Sequence, residues 1–144
     1  MELLSVPFSR LFWNDSYDAQ ITLRGLVRTE PDGLVVEFRR SENRWGLGPS
    51  SEDQIRTVVI PWDEVQSLQY RQWWIFHASL LLQTRTLRAL EGVPKAQGNE
   101  VSLPIARRDR LAARDLAATV EMALADRRLA ALEAPSSPRA LPPY

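Results

Sequence analysis

The sequence predicts a mostly β domain of about seven antiparallel strands closed by one C-terminal α-helix. Three observations carry this. From Ala19 to Ile105 apolar and polar residues alternate in short runs separated by turn residues, the pattern of half-buried strands. Ala106–Leu132 then turns rich in Ala, Leu and Arg, holds no Gly or Pro, and has high helix propensity throughout. Between the two halves of the β region lies Ile55–Gln69, IRTVVIPWDEVQSLQ, in which a strand stops at Pro61 and restarts at Val65.

That central stretch organises the chain. Pro61 lacks an N–H and fixes its own φ, so a ladder cannot run through it undisturbed. Asp63 and Glu64 are poor strand formers and suit a corner, with Trp62 and Val65 available to plug it.

At 144 residues the chain has room for one domain with a real core. The 18 basic and 18 acidic residues cancel and are interspersed, so no global field draws the protein to nucleic acid or to acidic membranes. The absence of Cys excludes disulfides, thiolate chemistry and Cys-based zinc sites. Lys95 is the only lysine, an arginine bias that reads as GC-rich bacterial coding. A cytoplasmic protein, soluble or peripheral to a membrane, is expected.

Taken in order, residues 1–18 form an apolar N-terminal arm. Glu2, Pro7 and Arg10 interrupt it, so it is expected to be neither a signal peptide nor a membrane span. Phe8, Leu11 and Phe12 would share one face of a short helix there, packing on the domain or on a partner. The domain proper is placed at 19–133. Ala19–Arg28 and Leu34–Arg40 read as a hairpin around Thr29–Gly33, with a bend or bulge at Gly25. Ser41–Gln54, with Gly46, Gly48 and Pro49, reads as a long loop.

After the corner, Val65–Gln72 continues as strand. Trp73–Thr84 is read as one further strand, its even face (Trp74, Phe76, Ala78, Leu80, Leu82) turned to the core. Its odd face carries Trp73, Ile75, His77, Ser79 and Leu81 outward. Leu87–Val93 and Glu100–Ile105 are expected to pair around 94–99. In the helix, Ala113, Leu116, Ala117, Val120, Ala123 and Leu124 form the apolar stripe. Arg107, Arg108, Arg110 and Arg114 crowd its first half, where the macrodipole would prefer acids. Residues 134–144 form a proline-rich tail expected to be disordered.

With Ile60-Pro61-Trp62-Asp63-Glu64-Val65 at the corner and a closing helix after Val101-Ser102-Leu103-Pro104-Ile105, the chain resembles bacterial pleckstrin-homology-like (PH-like, GRAM-type) domains over Ala19–Leu132. The resemblance implies a barrel of two near-orthogonal antiparallel sheets with the helix capping one open end. A fold shared this widely does not carry function with it.

The residues themselves point away from catalysis. His77 is the only histidine and lies in an apolar run, where a structural role is commoner than catalysis. Asp15–Asp18, Glu52-Asp53 and Asp63-Glu64 are poor metal sets, and Gly46-Leu47-Gly48 lacks the context of a phosphate loop. No cofactor is expected. A non-enzymatic binding module remains, contacting a protein partner or a second copy through Trp73, Ile75 and Leu81 with Phe8, Leu11 and Phe12. The alternative is weak binding to anionic lipid through the 41–54 loop, with Arg39, Arg40, Arg44 and Trp45. Lipid-reading PH domains place basic residues around the first hairpin. Here only Arg28, Arg39 and Arg40 approach it, and Glu30 and Asp32 in the turn oppose a polyphosphate, so no phosphoinositide specificity is expected.

Overall fold

The computed structural model describes residues 4–14, 19–44, 51–52, 54–75 and 77–133. Strands β1 (Ser5–Asn14), β2 (Ala19–Glu30), β3 (Gly33–Arg44), β4 (Ser51–Glu52) and β5 (Arg56–Pro61) form one antiparallel sheet. In it β3 pairs with β2 on one side and with both β4 and β5 on the other. Strands β6 (Val65–Trp74), β7 (His77–Thr84) and β8 (Glu100–Ile105) form a second antiparallel sheet in that order. Helix α1 (Arg110–Glu133) follows a 3-10 turn at Arg107–Asp109.

The corner lies where its residues predict. Arg56–Pro61 is strand, Trp62–Glu64 is one 3-10 turn, and Val65 restarts the ladder in the other sheet. Trp62 is buried, and its indole N–H donates to the carbonyls of Glu30 (3.2 Å) and Pro31 (3.1 Å). The corner between the sheets is thereby tied to the tight β2–β3 connection.

Several expectations are corrected. The N-terminal arm is a strand: β1 pairs with β2 along its whole length, from Ser5↔Arg28 to Asn14↔Ala19. Phe8 is buried and Phe12 half-buried, while Leu11 points outward, the two-residue alternation of a strand rather than one helix face. Pro7 is tolerated because β1 is an edge strand. Gly25 marks no bulge, since β2 stays in register with both neighbours. It is a point of close approach: a Cβ there would lie 2.0 Å from the Glu37 carbonyl oxygen and 2.8 Å from the Phe8 ring. The 41–54 loop is partly strand, because β3 runs on to Arg44 and β4 pairs with Ser41 and Glu42. Leu87–Leu90 is a 3-10 turn, and β8 pairs with β7 instead.

Trp73–Thr84 is likewise two strands. β6 ends at Trp74 and β7 begins at His77, so the run folds back on itself as a hairpin. Ala78, Leu80 and Leu82 are buried as expected, but Trp74 is solvent-exposed rather than core. Phe76 falls outside the described residues, as do Asp15–Asp18, Gly46-Leu47-Gly48, Trp45 and the 134–144 tail.

The helix buries the six residues of the expected stripe. It lies alongside the free edge of β6 and also meets β1 and β2. Its side chains serve that edge as a neighbouring strand would. Glu121 accepts from Leu68 N–H (3.0 Å), Arg128 donates to Gln66 O (3.1 Å), and Arg110 donates to Ile75 O. An exposed strand edge is an aggregation hazard, and here a helix covers it.

Among the described residues no ladder links the two sheets. Where β1 approaches β8 they are joined by core packing and by Arg10, which donates to Ser102 O (3.2 Å). Lys95, in the left-handed region at φ 64°, sets its ammonium 4.5 Å from the Phe12 ring centroid beside this seam.

Two expected outcomes follow for stability. Trp62→Phe keeps an aromatic ring but removes the donor and part of the indole's volume, and should cost about 1–3 kcal/mol in urea unfolding, against about 3–5 kcal/mol for Trp62→Ala. Val120→Asp should abolish the cooperative thermal transition, because it buries an unpaired carboxylate in the fully buried helix face.

Candidate functional site

The surface that stands apart is the apex of the β6–β7 hairpin. Trp73, Trp74 and Ile75 are 73%, 59% and 58% exposed. They sit consecutively where β6 ends and the chain turns, so the alternation that buries every second side chain no longer applies to them. A register irregularity between Gln72 and Trp74 adds a residue to β6 at this point. Trp73 stacks face to face on His77, the ring centroids 4.8 Å apart and the planes 9° from parallel. His77 is thus occupied as a support for Trp73.

The start of α1 is held against this apex. β8 ends with Ile105 opposite Ala78, which delivers Ala106–Arg110 to the base of the hairpin. Arg110 binds the Ile75 carbonyl, and Arg114 donates to Gln72 Oε1 (3.2 Å) and lies over the Tyr70 ring at 5.0 Å. Arg71 contacts Gln69 Oε1 (3.1 Å) on β6 itself. Arg107 and Arg108 are exposed on the 3-10 turn. Of these five arginines only Arg108 carries an ion pair among the described residues, a loose one to Asp109 at 3.7 Å.

The residues named from sequence are thus partly brought together. Trp73 and Ile75 meet at the apex. Leu81 lies further along β7 on the same outward face and is half-buried. Phe8, Leu11 and Phe12 belong to β1 in the other sheet and do not join them. Trp74 and the companion arginines were the missing members. The arginine-crowded helix start was the available signal for the latter; the reversal between Trp74 and His77, a stretch with no Gly, Pro, Asn or Asp, hid the former.

The anion candidates do not assemble a comparable site. Arg28 is gripped by Glu37 and, at 2.9 Å, by Glu30, contacts that raise its already high pKa. The sign is that of a base gaining acidic partners. Its contribution is present below the ordinary guanidinium range and is lost only above it, so it stays constant through physiological pH. Arg39 is exposed and pairs across the ladder with Arg24, and Arg40 is half-buried opposite Leu23. Arg24, Arg39, Glu37, Phe38 and Ile55 line an open depression of about 360 Å³ that mixes both signs of charge. Arg44 closes β3, and its side chain, like Trp45, lies outside the described residues. Among the described residues no group of three His, Asp or Glu side chains is placed to hold a metal ion, and no helix is long and apolar enough to cross a membrane.

Comparison with known proteins finds no matching family model, curated protein or solved structure.

The double variant Trp73→Ser/Trp74→Ser should leave the unfolding midpoint nearly unchanged, within about 0.5 kcal/mol, because neither ring is buried. Leu80→Ser, one strand away on the inner face, should cost at least about 2 kcal/mol in the same urea titration.

Proposed function

We propose that this chain is a non-enzymatic binding module of PH-like architecture whose contact surface is the β6–β7 apex. The order of the strands supports the PH-like reading: an antiparallel sheet built on β1, β2, β3 and β5, a corner, a three-stranded sheet and a closing helix. The exposure of Trp73, Trp74 and Ile75 together carries the functional reading. Two consecutive tryptophans that contribute nothing to the core are a large apolar surface left in water, and such surfaces mark interaction sites. Trp is also the side chain that most often anchors an interface.

The site is convex. Two large exposed rings side by side at the end of a hairpin suit a broad complementary surface, that of a macromolecule or an assembly. A second copy, another protein and a lipid layer are the available classes.

The test is photo-crosslinking in cells with a photoactivatable phenylalanine analogue in place of Trp74, and in place of Val59 as an equally exposed control on β5. The expected result is a defined adduct, protein or lipid, at position 74 and none at 59. Adducts at 59 and none at 74 would reject the apex as the contact surface.

A further inference from the structure

We infer that the surface on which the apex docks is an anionic lipid bilayer, into whose interfacial layer Trp73, Trp74 and Ile75 insert. This rests on the apex reading above and names its partner. The charge around the tip is what selects a bilayer. The chain as a whole is neutral, yet Arg71–Ser79 and Ala106–Asp115 hold five arginines against two acids, Asp109 and Asp115. Asp109 is already paired with Arg108 and largely covered. The local field at the apex is therefore positive although the global one is not.

The arrangement of the two chemistries matters as much as their presence. Arg114 meets Gln72 and Tyr70, which precede Trp73 in β6, and Arg110 meets the Ile75 carbonyl itself, so two of the cations lie beside the apolar residues. Arg107 and Arg108 stand on the adjoining turn. Exposed Trp and Ile with Arg beside them match the chemistry of a membrane interface: aromatic rings at the level of the headgroups and carbonyls, and guanidinium groups at the phosphates.

The helix start supports the same conclusion. Arg107, Arg108, Arg110 and Arg114 lie at the positive end of the α1 dipole, where basic residues are locally unfavourable. Local rules are broken most often where function requires it. A negatively charged surface facing this end removes the conflict. Leu111, 72% exposed in the first turn of α1 beside Arg110, extends the apolar surface on the helix side.

The experiment is co-sedimentation of the full chain with phosphatidylcholine vesicles, with and without phosphatidylglycerol, read together with quenching of tryptophan emission by brominated lipid. Binding to the anionic vesicles is expected, with little to the zwitterionic ones, and it should weaken as salt is raised. Trp73→Ser/Trp74→Ser should lower the affinity at least tenfold and abolish the quenching. Arg107→Glu/Arg108→Glu should lower affinity comparably, while Arg85→Glu/Arg88→Glu, near the corner end of the molecule, should leave it unchanged. Circular dichroism melts of all three variants exclude unfolding as the cause. Absence of vesicle binding, or binding indifferent to both apex variants, overturns the inference. If vesicles fail while position 74 crosslinks to protein, the apex stands and the bilayer falls. If neither occurs, both fall.

Discussion

The hydrogen bonds from the Trp62 indole to the carbonyls of Glu30 and Pro31 fix the relation on which the rest of the molecule depends. A chain that leaves one sheet and enters another must turn sharply, and Pro61 ends the first ladder without saying where the second begins. The buried indole supplies that direction. It clamps the corner to the β2–β3 connection, so β6 leaves at a set angle and carries β7, β8 and α1 with it. Beside it, Arg85 N–H donates to Glu64 O (2.9 Å) and the Thr86 hydroxyl to Glu64 Oε2 (2.8 Å), tying the far end of β7 to the same turn. The buried Thr84 extends the tie, its hydroxyl donating to Thr86 O and its backbone exchanging hydrogen bonds with Asn99.

From this corner the architecture runs outward to the apex. β6 leaves the corner buried on one face and reaches Trp73 and Trp74 with no core left to cover them. α1 starts at the apex and runs back along β6, so the same helix covers an exposed edge and sets arginines beside the tip. Edge protection and the electrostatics of the apex are thus two results of one packing arrangement. Arg110 serves both: its contact with Ile75 O satisfies backbone at the turn and fixes positive charge there.

Much of this was legible in the residues. The corner could be read because Pro61, Asp63 and Glu64 exclude a continuous strand. The helix stripe could be read because Leu116, Val120 and Leu124 repeat at helical spacing. Two elements were hidden for different reasons. In β1 the alternation Val6, Phe8, Phe12 is present, but Arg10 occupies the third of the four inward-facing positions and Pro7 reads as a break. Arg10 is acceptable there because it reaches out of the sheet to Ser102 O at the seam. In the β6–β7 hairpin the strands on both sides of the turn are apolar and no turn residue separates them. Local chemistry therefore favoured one long strand, and only the pairing of Gln72 with Ala78 shows the reversal. The apex was half visible for the same cause: a tryptophan in an apolar run is ordinarily core.

The seam between β1 and β8 gives the shell a direction in which it can open. On the corner side the two sheets are joined by continuous chain and by Trp62. On the seam side they meet through the packing of β1 on β8, the Arg10 contact and the cation–π pair of Lys95 with Phe12, and among the described residues no backbone ladder crosses. The molecule is a hinged clasp rather than a hoop. A gape at the seam about the corner as pivot would strain no ladder in either sheet, but it would have to part the shared core and the contacts of α1 with β1 and β2. Because Lys95 is the only side-chain amine in the protein, neutralising that one group would remove the cation–π contact at the seam while leaving the Arg10 contact and the core packing in place.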